Sequence, residues 1–503
     1  MTSGYVPTFK REQEPCGKLD ANTERESLMV AQSEKPASHN KLRQVHPAVA
    51  EKLTDPRWAW AAYQPDARRP WNLALAGHLY RRAAFGASWG QLQQALSDGP
   101  QRTVDKLLQP QADTAAFNSV YDEYEASAAG SIDGLRAWWL RRIIQTPHPL
   151  LEKMTLFWHS HFATNSVNVN NPRLMLRHVQ LLRSHALNSF RDLLQAIPHD
   201  PAMLIWLGAD ANRKGLPNEN FTRPLMEAFT LGPGHYTEKD VQEATRAFTG
   251  WFVLRGQLRY IPREHDGNVK EILDQKGNFT ANDVVRIVLE QPATARTLVR
   301  KLYRWLICET EEPNAMLVAP LVESFAKDYN ILKLVETMFR SNLFFSALAY
   351  RQRIKCPVEF ALGIVKALEG VVSTAQLAQD LADLGQNLYN PPTAKGWTGG
   401  RHWINSATLV GRHNIALALL RGSGPYADKL NPWVVAKKHG CSTSKSAMQL
   451  LLDLFLQSDL DPDVYDAVLK TVEAPAGIGS DEPEGMLRRF AHVVVTLPEF
   501  HLA

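Results

Sequence analysis

From about residue 69, apolar positions recur every three to four residues, the period of helices with one buried face. Leu73, Leu75, Leu79, Ala83 and Ala84 give the first stripe, closed by Phe85 and Gly86. Ser88 stands where a cap would open the next helix, which carries Leu92, Ala95 and Leu96. Leu135, Trp138, Trp139, Arg142 and Ile143 form another stripe, ended by Pro147 and Pro149 before a helix through Glu152 to His159. Helices over Leu174–Leu187 and Phe190–Ile197 follow. The pattern resumes from Asn282 to about Leu384, and two or three helices complete the chain after a Pro-, Gly- and Trp-rich loop at 389–405. Only within 252–282 is a hairpin credible: Phe252-Val-Leu and Leu258-Arg-Tyr-Ile flank Arg255 to Gln257, which predicts a small β-hairpin near 252–262. No internal repeat of fixed period emerges. The predicted class is mainly α, a large multi-helix globular body.

Residues 1–68 are rich in Lys, Glu, Gln, Ser and Pro with little apolar period. They predict a disordered or loosely packed arm before one helical domain over 69–503, with a sub-boundary near 385–425. At 45% hydrophobic and 21% charged, the 503-residue chain has the make-up of a soluble globular protein. Its net charge is only +4, and no basic run interleaves with aromatics, which argues against nucleic acid as the main partner. Most of the thirteen tryptophans read as core. The four cysteines, Cys16, Cys308, Cys356 and Cys441, are scattered without a CxxC pair, against a structural zinc site or a disulfide framework. No apolar run is long enough for a transmembrane helix, and no apolar leader opens the chain, so the expected compartment is cytoplasmic. No pattern specifies an oligomeric state.

The chemistry is concentrated in a few polar stretches. EKMTLFWHSHFAT, residues 152–164, places two histidines and a carboxylate in an otherwise apolar helix, where buried polar groups require a partner. Residues seven apart on a helix lie within about 20° of one another, so Glu152 and His159 share a face. His161 falls roughly half a turn away. His159 and His161 could hold one divalent metal only if the helix frays near Trp158 to Ser160. The bland reading makes one histidine a cap and packs the other under aromatics. In 217–232, Phe221, Leu225, Ala228 and Phe229 have core spacing, while Asn220, Arg223 and Glu227 give a polar stripe. Pro224 places the helix start near Arg223, leaving Glu219 and Asn220 in the preceding loop. An Arg–carboxylate pair is the structural alternative there. His235 lies on a glycine-flanked turn, followed by a Thr237–Asp240 capping pair. His265-Asp266 adds a weak His–carboxylate pair. Lys395 and Trp397 sit in the 391–406 loop, a binding wall or a core plug. Phosphate-cradling, nucleophile-elbow, HExxH and dinucleotide motifs are absent from the sequence.

The strings LYRRAAFGAS, EKMTLFWHSHFAT, DPAMLIWL, NRKGLPNENF, LMEAFTLGPGHYTEKDVQEATRAFTGW, KCPVEF, PPTAKGW and WINSATL, closed by LPEFHLA, occur in order over roughly 70–503. Together they resemble the bacterial family known as domain of unknown function 1800. That family usually has glutamate where this chain has Pro224. The resemblance implies no reaction, substrate or cofactor; many relatives look exported.

Two functional classes follow. In the first, the chain is a hydrolase of a carbohydrate or ester substrate, with or without a divalent metal. Glu219 or Glu227 would be general base, and His235 or another histidine the acid or a metal ligand. Arg223 and Asn220 would hold the substrate, with Lys395 and Trp397 forming a wall. A small molecule or glycan would be the partner. In the second, a non-catalytic helical binding or assembly protein, the same polar residues fix helix packing. Haem or another redox cofactor is a weaker third reading.

Overall fold

The computed structural model describes residues 55–427, 429–473 and 483–503, mainly helices with two small two-stranded antiparallel sheets. Five helices matter for the site: α1 (Ile132–Gln145), α2 (Pro149–His161), α3 (Pro172–His185), α4 (Pro292–Leu306) and α5 (Pro357–Ala367). Helix starts follow local chemistry. Asn72 caps Leu73–Ala83, Ser88 and Gln91 form a reciprocal capping box for Trp89–Leu108, and Pro149 opens α2 at its first turn. Thr237–Asp240 forms the expected box before Glu238–Ala247.

The expected hairpin is present as β1 (Trp251–Leu254) and β2 (Gln257–Tyr260). Its two-residue turn holds both Arg255 (φ 54°) and Gly256 (φ 72°) left-handed, matching the strand twist. A second hairpin, β3 (Lys270–Ile272) and β4 (Gln275–Gly277), turns through Leu273 and Asp274, also at positive φ. Its strands of three residues are too short to show a period. The C-terminal part has more helices than the pattern suggested: Ser406–Leu420, Pro432–Lys438, Ser444–Leu456, Pro462–Glu473, Pro483–Thr496 and Pro498–His501. Asparagine, threonine and proline starts divide that region more finely than its apolar runs do.

The described residues belong to one compact unit, and the 385–425 stretch lies inside it. Of the 1–68 arm, residues 1–54, Cys16 among them, lie outside the described residues. Residues 55–68 join the body: Ala59 and Tyr63 are fully buried, and the Trp60 indole donates to the Leu317 carbonyl. Among the described residues no helix is long and apolar enough to cross a membrane.

α2 lies at the centre. Leu150, Met154, Leu156 and Trp158 are at most 1% exposed, each contributing roughly 1.5–3 kcal/mol of burial free energy. Glu152, Lys153, Thr155 and His159 are fully buried as well, so α2 is enclosed on every side and its polar groups need partners inside the protein.

Candidate functional site

Glu152 and Lys153 find those partners in two separate ion networks. The Glu152 carboxylate accepts from the Trp139 indole (2.9 Å) and Arg142 Nε (2.7 Å) of α1, and from Arg183 Nε (2.9 Å) of α3. Burial pushes this acid up, but the Arg183 and Arg142 guanidiniums outweigh it and hold it below the ordinary glutamate value. Lys153 donates to Glu359 of α5 and to the Ala84 carbonyl (2.8 Å). Glu359 also binds Arg353 and the Cys356 N–H, so its carboxyl lies far below the ordinary range despite burial. Helices α1, α2, α3 and α5 are locked by these pairs.

His159 faces α1, as its spacing from Glu152 requires: Trp139 touches both, with its ring 5.3 Å from the imidazole. Its Nε2 accepts the Tyr389 backbone N–H at 3.0 Å, which leaves the proton on Nδ1. Burial, helped by His178, lowers its pKa to about 3, so the ring is neutral. Trp397 and Tyr389 cover it, with ring centroids at 5.5 and 5.8 Å.

His161 turns elsewhere. Its Nε2 lies 3.2 Å from the Phe229 carbonyl and its Nδ1 3.2 Å from Lys301 Nζ of α4. Lys301 also donates to the Ala228 carbonyl at 2.6 Å. The ammonium donates to Nδ1, so Nε2 carries the imidazole proton and donates to Phe229. The two side chains draw these carbonyls to themselves at the 225–230 turn, which widens into a π-helix. Burial and the Lys301 charge push His161 well below its ordinary value. Burial, with the nearby Lys395 charge, lowers Lys301 to about 8. No carboxylate pairs with it among the described residues.

A shared metal on His159 and His161 required the helix to end early. Instead α2 runs through His161, and the two imidazoles are held by different partners. Among the described residues no three His, Cys, Asp or Glu side chains converge in a way that could hold a metal ion.

The 217–238 segment forms the open part of the site. Pro224 lies in the first helical turn, as its missing N–H dictates. Glu219 and Arg223 pair at 3.0 Å, and Glu238 holds Arg223 from the other side at 2.6 Å. These two carboxylates raise the guanidinium pKa. Glu219, Asn220, Arg223 and Pro224, with Trp206 and Leu207, line an open cleft of about 380 Å³. One turn further, Glu227 binds Lys395 Nζ at 2.8 Å and the Tyr236 hydroxyl at 3.2 Å. The Lys395 hydrogen bond keeps its carboxyl below the ordinary glutamate value. Glu227 therefore precedes the Ala228 carbonyl that Lys301 holds.

Gly396 fixes the 391–406 loop on α2. A Cβ there would lie 2.0 Å from the Ser160 carbonyl oxygen, and its φ of 77° disfavours any side chain. The next residue, Trp397, donates its N–H to Ser160 Oγ, so its ring plugs the space over His159 rather than lining the cleft. His235 is exposed and makes no hydrogen bond among the described residues. His265 is held by the Thr249 carbonyl, and Asp266 by Arg246; both serve the hairpin region.

Glu219, Asn220, Arg223, Glu227 and Lys395 are thus brought along one ridge, while Glu152 and His159 lie beneath it in the core. Lys301, Tyr236 and Glu238 were missed as site residues. Lys301 had one legible signal: Leu298 and Trp305 flank it at i−3 and i+4, placing a lysine on the apolar stripe of its helix.

No curated protein and no solved structure matches the chain. Residues 78–502 match the model of the family described as "Protein of unknown function (DUF1800)", and the chain belongs to that family.

Proposed function

We propose that this chain is a hydrolase acting on a carbohydrate or ester held from the cleft lined by Glu219, Asn220, Arg223 and Pro224, with Glu227, one turn beyond that lining, and Lys301 as its proton-handling groups. The observation that carries the reading is the Lys301 amine. It is partly buried, lacks a carboxylate partner among the described residues, has its pKa lowered to about 8, and is aimed by the His161 imidazole and the Ala228 carbonyl. At neutral pH it is mostly protonated. It can therefore place positive charge, and then a proton, on an oxygen that becomes negative as a bond breaks. Neutral His161 accepts one N–H and fixes the direction of the others. Glu227, ionised through neutral pH beside Lys395, can take a proton from an attacking water. Arg223, already oriented by Glu219 and Glu238, offers its remaining surface to a polar substrate group.

The second reading, a helical scaffold whose polar motifs hold the packing, is favoured around α2 by the buried, mutually satisfied Glu152 and Lys153 networks.

The two readings separate on a panel of chromogenic esters and glycosides. Lys301→Met and Glu227→Gln are expected to lower turnover about 10²–10⁴-fold with little loss of thermal stability. Turnover unchanged in both variants, or no turnover of any panel member by the wild type, would sink the hydrolase.

A further inference from the structure

Three of the strings that carry the family resemblance, LYRRAAFGAS, KCPVEF and LPEFHLA, take no part in the cleft. They meet instead in the core, around a cavity of about 20 Å³ lined by Gly77, Arg81, Gly86, Lys355, Gly363 and Phe500, among others. That is room for one water-sized guest.

The charge around it is mainly positive. Lys355 is 4% exposed, and its Nζ makes no hydrogen bond among the described residues; it sits 3.7 Å from the Phe500 ring centroid. Arg81 and Arg412 are buried beside it, and Arg351 adds a third guanidinium to its field. Arg81 reaches Gln457, and Arg412 donates to the Lys355 carbonyl at 2.8 Å. Among the described residues, neither pairs with a carboxylate at salt-bridge distance. Arg351 pairs with Asp459 at 3.1 Å. The one buried carboxylate facing Lys355, Glu359, is already shared by Lys153 and Arg353.

An isolated buried ammonium costs several kcal/mol, which it escapes by losing its proton or gaining an anion. Burial and the flanking guanidiniums do push Lys355 well below its ordinary value. Yet losing that proton leaves Arg81 and Arg412 charged, since guanidiniums do not deprotonate near neutral pH. A small anion in the cavity, which Lys355 and Arg81 line, offsets both and lowers the field that Arg412 adds. From this geometry we infer that the cavity beside Lys355 is a binding site for a small monatomic inorganic anion of the halide class, with chloride as the probe. The anion is structural: it neutralises the junction of three family strings, 20 or more residues of chain sequence away from the cleft motifs in each case.

The test uses the full chain. Crystals soaked in bromide are expected to show an anomalous peak at hydrogen-bond distance from Lys355 Nζ. Thermal stability is expected to rise by about 2–4 °C from about 1 mM to about 0.3 M chloride, with gluconate, too large to enter, keeping ionic strength constant. Lys355→Met should abolish that dependence. No bromide peak together with a chloride-independent melting temperature would overturn the site and leave Lys355 a neutral amine. Should Lys355→Met fail to fold, the wild-type bromide and chloride measurements decide by themselves.

Discussion

Glu152 and His159 share a face of α2, and Trp139 touches both, yet neither reaches the cleft. The acid belongs to Arg142 and Arg183, and the imidazole to the Tyr389 N–H. Removing one partner of such a buried pair strands the other. Glu152→Gln and Lys153→Met are each expected to destabilise the protein by about 3–5 kcal/mol in chemical denaturation, against under about 1 kcal/mol for Lys395→Met, whose partner pair is exposed. Equal losses at all three positions would contradict the division into core locks and cleft residues. The shared face was legible because helical spacing is local. The partners were not: Arg183 and Glu359 come from other elements, and nothing in a helical period says which distant cation meets which acid. Lys301 was hidden for the same reason, since its role depends on α4 crossing the 225–230 turn.

Elements were easier to read than their contacts. The Ser88 and Thr237 caps and the Pro149 start all fall where local hydrogen-bonding chemistry puts them. The Arg255-Gly256 turn falls inside the hairpin that the pattern predicted. The 270–277 hairpin and the short helices Pro432–Lys438 and Pro498–His501 were not resolved, because such elements are shorter than the window in which a period shows; the longer C-terminal helices ran together because their boundaries lie in caps and proline starts rather than in the apolar period. The 389–405 loop is the element whose role changed most. It presents Lys395 to Glu227 but turns Trp397 inward, and Gly396 makes both possible by lying against Ser160. Gly396→Ala forces a Cβ into the Ser160 carbonyl and is expected to cost about 2 kcal/mol or more. Trp397 should then become more accessible to acrylamide quenching. A variant with unchanged stability and quenching would show that the loop docks by other means.

Across the whole molecule, polar chemistry falls into a buried frame and an open ridge, and their pH responses differ. His78, His159, His161 and His501 are all pushed down by burial, His159 and His501 to about 3. Each is neutral when folded and would take up a proton near its ordinary value of about 6.5 when unfolded. The unfolded state binds more protons below that pH. The contribution of these rings to stability is therefore complete above about 6.5 and is lost as pH drops toward about 3, with a slope of up to ~1.4 kcal/mol per pH unit for a fully buried ring. Urea denaturation across that window checks this, and His159→Gln should flatten the slope. Lys301, held at the 225–230 turn, acts at the other end of the scale. If Lys301 is the proton donor of the cleft, kcat/KM on a hydrolysed substrate falls above about pH 8, where the amine loses its proton. The most direct measurement is that pH–rate profile for the wild type and Lys301→Arg. The account predicts a high-pH limb near 8 that moves out of range in the variant; a wild-type rate that stays level to pH 10, or a limb that the variant leaves in place, would contradict it.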